Sequence, residues 1–98
     1  MEVIFKDKAL ERVALEGWID PKLPIAVCAS LQRKILLIKS APDERTLRNW
    51  RSFHYEKLKG EFDGLHSIRL NDQWRLVFEV SAGSAGPKIT VIGVEDYH

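Results

Sequence analysis

Apolar positions recur at two different periods along this chain, helical in the first half and alternating in the second. Val3, Ile4 and Phe5 form a short β-prone run ahead of Lys6-Asp7-Lys8. Leu10, Val13 and Ala14 follow at helical spacing up to Gly17, which predicts a strand and then a helix stopped by that glycine. Trp18 to Pro24, with prolines at positions 21 and 24, is a connection. From Ile25 onward, Val27, Cys28, Leu31, Ile35 and Ile38 repeat at three- and four-residue steps, with Gln32, Arg33 and Lys39 on the other side. A second, longer helix is predicted there, with Pro24 in its first turn and its end near Ser40-Ala41-Pro42.

Beyond this helical hairpin the period falls to two. Ile68 and Leu70 alternate with Ser67 and Arg69, and Trp74, Leu76, Phe78 and Val80 share one face of a second run. Asn71-Asp72-Gln73 separates the two runs as a short turn, so they are expected to pair as an antiparallel hairpin. Ser81 to Pro87 reads as a flexible link, and Lys88 to Val94 as a further strand. Tyr55 to Lys59 is expected to form one more, turning over Gly60 to Gly64. Together these predict an α+β domain: an N-terminal strand and a helical hairpin packed on one face of a twisted antiparallel sheet of about four strands.

At 98 residues the chain has room for one core, so a single domain over residues 1–98 is expected. The apolar stretches Ile25 to Leu31 and Ile35 to Ile38 are broken by Gln32, Arg33 and Lys34, short of the roughly 20 residues a membrane span needs. Charges at Lys6, Asp7, Lys8, Glu11 and Arg12 leave no export signal at the start. The only cysteine, Cys28, falls on the apolar stripe of the second helix, which fits a core position and a reducing, cytoplasmic setting. Net charge is +1, yet residues 45–75 carry seven basic side chains against four acidic ones, a local excess suited to a phosphate-rich partner.

Strand parity selects which side chains face away from the helices. Ser67, Arg69 and Asn71 share that face with Arg75, Val77 and Glu79, and Lys57 and Lys59 are expected there from the preceding strand. Asp96, Tyr97 and His98 follow at the end of the last strand. Guanidinium, ammonium, phenol and imidazole groups on one concave surface suit RNA cleavage without a metal. Such cleavage needs a base for the ribose 2′-hydroxyl, cations for the phosphorane charge and an acid for the leaving 5′-oxygen. Histidines at 54, 66 and 98 have no metal-ligand spacing and no Walker-type loop occurs, so no metal or other cofactor is expected.

The run from Leu58 to Phe78 (LKGEFDGLHSIRLNDQWRLVF) and the terminal Glu95-Asp96-Tyr97-His98 closely resemble two motifs of the HigB-type toxins in the RelE/ParE superfamily. The resemblance implies a RelE-like fold and a toxin that enters the ribosomal A site, against 16S rRNA, and cuts mRNA there. It also implies a HigA-like antitoxin with a helix-turn-helix domain. By motif position, Lys59 and Arg75 would bind and polarise the scissile phosphate, Tyr97 and His98 would transfer protons, and Asp96 would orient them. Lys57, Arg69 and Arg51 would add RNA contacts. Some members carry HPLKG, with histidine two residues before the leucine. Here that position is Glu56, with His54 two residues earlier and of the same strand parity, so the base is either His54 or Glu56.

Each of these residues also has a plainer use. Lys57 and Lys59 suit an edge strand that must avoid aggregation, and Arg69 and Arg75 can pair with Asp72 or Glu79. His66 has the parity of Ile68 and Leu70 and reads as partly buried and structural. Trp18, Trp50 and Trp74 read as packing residues, with Trp50 beside Arg48 and Arg51 the one placed to meet RNA. Two other functions fit the same fold: gyrase inhibition of the ParE type, and a non-catalytic protein-binding role.

Overall fold

The computed structural model describes residues 1–84 and 86–96. Its elements run β1 (Glu2–Phe5), α1 (Lys8–Glu16), α2 (Ile25–Ser40), α3 (Glu44–Asn49), β2 (Glu56–Lys57), β3 (His66–Arg69), β4 (Trp74–Gly83) and β5 (Gly86–Asp96), with 3-10 turns at Arg51–Phe53 and Gly60–Phe62. The architecture is α+β, with the helices on one face of a five-stranded sheet of order β1-β5-β4-β3-β2.

Local chemistry sets the helix ends. The Asp7 carboxylate accepts from the Ala9 and Leu10 amides at 2.8 and 3.4 Å, capping α1. At the other end Gly17 turns left-handed at φ 73°, and the Trp18 amide donates to the Arg12 carbonyl at 3.2 Å. Pro24 stands at the N-cap of α2, immediately before its first turn, and α2 ends at Ser40, as the apolar period predicts. α3 was not anticipated from the sequence. Its cap is the Asp43 carboxylate, which accepts from the Thr46 amide and hydroxyl at 3.0 Å, a short local signal with one buried side chain, Leu47, behind it.

Val13, Val27, Cys28, Leu31, Ile35 and Ile38 from the helices close over Ile68, Leu76, Phe78, Ile89 and Val91 from the sheet, all fully buried. Cys28 is thus a core side chain, and Trp18, Trp50 and Trp74 pack against the core while partly exposed. α2 also fastens the end of β3: the buried Ser30 hydroxyl donates to the Leu70 carbonyl at 2.7 Å, and the Lys34 ammonium donates to the Arg69 carbonyl. The β3–β4 turn is closed by Asn71, whose side-chain oxygen accepts from the Gln73 and Trp74 amides at 2.9 and 2.8 Å.

Three expectations need correction. The sheet is mixed rather than antiparallel, because β1 lies parallel to β5, pairing Glu2 with Lys88 through Phe5 with Val91. The helices carry the chain from β1 to β2 at the opposite edge of the sheet, and β5, the last strand, returns through β3 and β4 to lie beside β1. β2 is only two residues long and Lys59 lies beyond it, at the start of the Gly60–Phe62 turn. The flexible link expected from Ser81 to Pro87 is replaced by strand on both sides, since β4 continues to Gly83 and β5 begins at Gly86, with Ser81, Ala82 and Gly83 paired to Lys88, Pro87 and Gly86. Glycine permits this tight end: a β-carbon on Gly83 would lie 2.9 Å from the Gly86 carbonyl, and Gly86 has φ +123°.

This hairpin end makes a direct test. Gly86→Ala is expected to destabilise the fold by about 1–3 kcal/mol in urea titrations, and Gly83→Ala to do so as well, while Ser84→Ala is neutral. Equal stability in all three variants would return the segment to a loose link.

Candidate functional site

The sheet face away from the helices is not bare. Ser67 and Val77, predicted to stand open there, are 0% and 4% exposed, and with Leu58 and Phe62 they line a cleft of about 610 Å³. That volume lies in the range of about 300–1,000 Å³ usual for ligand sites. The cleft is completed by Glu56, Lys57, Lys59, Arg75, Glu95 and Asp96, so residues from β2, the following turn, β3, β4 and the end of β5 converge.

Lys59, Arg75, Asp96 and Glu56, all singled out from the sequence, therefore share one cavity. Arg75 is half-buried, and its guanidinium donates to the Ser67 hydroxyl at 3.3 Å and to the His54 carbonyl at 3.2 Å, which directs it along the cleft wall. Lys57 lines the cleft too, but its register partner is His66, whereas Glu56 pairs with Ser67. Paired residues point to one face, so Glu56 rather than Lys57 has the parity of the open side. The shared parity expected of Lys57 and Lys59 does not apply, because the strand stops between them.

His54 does not continue a strand. It sits at φ 44° at the end of the Arg51–Phe53 turn, exposed, and offers its carbonyl rather than its imidazole to Arg75. Arg51 lies exposed on that same 3-10 turn, outside the cleft lining. Arg69 is the register neighbour of Arg75, also outside the lining, and stands 3.9 Å from the exposed Asp72 carboxylate, a weak surface pair. Tyr97 and His98 lie outside the described residues.

Parity places Ser67 on this face, but Glu95, Phe62 and Leu58 are not singled out by the sequence as site residues. Glu95 depends on a bulge: the register slips between Val77 and Phe78, so that Val77 faces Gly93 while Phe78 faces Val91, leaving Ile92 as an extra residue. Beyond the slip Arg75 pairs with Glu95 and Trp74 with Asp96. An unbroken ladder would have put Val94 opposite Arg75. No local signal in the sequence marks that bulge.

A second polar cluster lies on the helix side of β3. The Tyr55 hydroxyl donates to the Glu44 carboxylate at 2.9 Å, and Arg48 donates to the same oxygen at 2.7 Å. Burial opposes ionisation of Glu44, but hydrogen bonds from Arg48 and Tyr55 hold its carboxyl below the usual range. Burial, reinforced by the hydrogen bond to Glu44, pushes the Tyr55 phenol well up. His66 stacks on Phe78 with ring centres 6.0 Å apart, and its buried Nδ1 finds no hydrogen-bond partner among the described residues. Burial lowers its pKa, with Arg48 and Lys57 adding to this against Glu44. It is the partly buried, structural histidine that its parity indicates.

With this geometry in view, comparison with known proteins is informative. The fold is that of a toxin class. A YoeB/ParE toxin from Agrobacterium tumefaciens superposes with a TM-score of 0.64 at 19% identity, covering 100% of both chains. A chain of the heterotetrameric YoeB-YefM toxin-antitoxin complex from Staphylococcus aureus does so at 0.55 and 22% identity, covering 100% of this chain and 97% of that one. Residues 3–89 match the family described as the RelE-like toxin of the type II toxin-antitoxin system HigB, and the chain belongs to this family of HigB-like toxins. It is also similar to Toxin HigB-1 of Vibrio cholerae serotype O1, 34% identical over 85 residues that cover 87% of this chain and 90% of the relative.

The depressed pKa of His66 fixes a sign. The unfolded chain takes up a proton near pH 6.5 while the folded one resists it, so stability is full above that pH and falls as pH drops toward the folded-state value. Glu44 and Asp43, both lowered, act only further down, below about pH 4.5. Thermal melts should show Tm declining between pH 7 and 5.5, and His66→Gln should flatten that slope. A wild-type Tm constant across the window would remove His66 from the stability-linked groups.

Proposed function

We propose that this toxin is a ribosome-dependent, metal-independent endoribonuclease that cuts mRNA in the A site. One observation carries the reading: two cations, Lys59 and Arg75, share a single cleft with the carboxylates of Glu56, Glu95 and Asp96. This is the mixture that phosphodiester transfer by the ribose 2′-hydroxyl requires.

In this mechanism Lys59 and Arg75 bind the scissile phosphate and stabilise the charge that builds on its equatorial oxygens. A base takes the 2′-hydroxyl proton, the 2′-oxygen bonds to phosphorus, and the bond from phosphorus to the 5′-oxygen breaks. The placement of the side chains favours Glu56 over His54 as that base, since Glu56 lines the cleft and His54 offers a carbonyl. Tyr97 and His98 carry a proton to the departing 5′-oxygen, and Asp96 orients them, roles that rest on motif position. Lys57 touches the RNA within the cleft, and Arg51 and Arg69 hold its backbone outside. The ribosome contributes what so small a site lacks, a strand already fixed in an attack geometry.

A HigA-like antitoxin with a helix-turn-helix domain is the inferred protein partner, in keeping with membership of a toxin-antitoxin family. The inferred setting is the cytoplasm, beside ribosomes, with residues 1–98 acting as one domain. Among the described residues no helix is long and apolar enough to cross a membrane.

Primer extension on an mRNA, with and without translating ribosomes, tests the proposal. Cuts are expected only with ribosomes. Lys59→Ala and Arg75→Ala should each slow them about 10²- to 10³-fold, and Tyr97→Phe and His98→Ala about 10²- to 10⁴-fold, with thermal melts unchanged for the exposed positions. A folded wild type that arrests growth but leaves every message intact would refute the nuclease reading and point to gyrase.

A further inference from the structure

Phe62 is the only aromatic side chain among the described residues of the cleft, and it is 40% exposed. A lone exposed phenylalanine on a surface needs no explanation, but this one lines a cleft that also holds charged side chains, and it sits in a turn closed by hydrogen bonds. The Asp63 amide donates to the Gly60 carbonyl at 3.0 Å, the Leu65 amide to the Phe62 carbonyl at 3.0 Å, and the Leu58 amide to the Leu65 carbonyl at 2.9 Å. Leu58, 9% exposed, and Val77, 4% exposed, add apolar surface to the same cavity.

Charge in the cleft is balanced. Its described lining holds Lys57, Lys59 and Arg75 against Glu56, Glu95 and Asp96, three formal charges of each sign. Attraction for phosphate is thus local to Lys57, Lys59 and Arg75, without the broad positive field that holds a strand by its backbone. Phe62 is flanked in sequence by Glu61 and Asp63, both exposed, so a phosphate is disfavoured at that end while a neutral base is not. A nucleotide has a neutral aromatic part and an anionic part, and the cleft offers a partner for each.

We infer that Phe62 is a stacking platform for a nucleobase of the bound RNA, with the adjoining phosphate held by Lys59 and Arg75. The inference rests on the nuclease reading above and adds to it the part of the site that binds the base. Stacking accepts every base but favours the larger purine face, so Phe62 contributes a purine preference without hydrogen-bond readout.

The test uses ribosomes programmed with an mRNA carrying 2-aminopurine at each A-site codon position in turn, with 2′-O-methyl riboses to block cleavage. Cleavage rates are measured in parallel on unmodified mRNA. Wild type is expected to quench the fluorescence at one position. Phe62→Leu should lose that quenching and cut about 5- to 50-fold more slowly, most at purine codons, and Phe62→Tyr should restore both. Thermal melts check that all three are folded. If Phe62→Leu cuts and quenches as wild type does, the inference is overturned and the nuclease reading stands. Phe62-dependent quenching by a wild type that never cuts supports the stacking and refutes the nuclease. A wild type that neither quenches nor cuts overturns both.

Discussion

The β4–β5 ladder is the constraint on which the rest of the structure depends. It runs from Gly83 opposite Gly86 at the tight end to Trp74 opposite Asp96 at the far end, and both its faces are used. One face supplies Leu76, Phe78, Ile89 and Val91 to the core beneath α1 and α2. The other supplies Arg75, Val77 and Glu95 to the cleft. Side chains alternate with a period of two, so a slip of one residue would exchange core and cleft along a whole strand. The bulge beside Val77 makes that exchange once, on β5 only, and brings Glu95 level with Arg75 while the core register beyond it is kept.

β3 is tied to this ladder from two directions. Ser30 and Lys34, one helical turn apart on α2, take the carbonyls of Leu70 and Arg69, and Asn71 closes the turn that leads into Trp74. Burial disfavours the Lys34 ammonium, and Arg33 and Arg69 add to this, so its pKa is lowered although it remains bound to the chain. Helix packing therefore bears on the cleft: α2 fixes the end of β3, and β3 in turn presents Ser67 to the Arg75 guanidinium. The asparagine, tryptophan and arginine of the sequence motif act as one unit, a turn that delivers a cation to a set place.

Much of the site was legible because its residue types lie in short, ordered runs. Lys59, Arg75, Asp96 and the alternative base Glu56 are all marked by the sequence, and all line the cleft. The positions that were misjudged share a cause. Lys57 and His54 were placed by extending strand parity through a segment that forms only two residues of strand and a left-handed turn. Glu95 stayed hidden behind a bulge, and Phe62 behind a turn read as a connection. Each depends on where the chain stops being regular, and regularity is what periodicity measures.

Hydrophobic period alone determined the order of the main elements, the buried stripe of α2 and the inward face of β3 and β4, because these follow from the 3.6- and 2-residue repeats within one segment. It also determined that Cys28 and the tryptophans pack against the core, and the charge count placed a local basic excess in residues 45–75. Only the tertiary structure decided that β1 lies parallel to β5, that residues 81–83 pair with residues 86–88, and that the turn at 58–62 lines the outer face of the sheet as a cleft. These are relations between segments far apart in sequence. Their register is set by packing, close glycine approach and a single extra residue, none of which leaves a repeat in the chain for a reader to find.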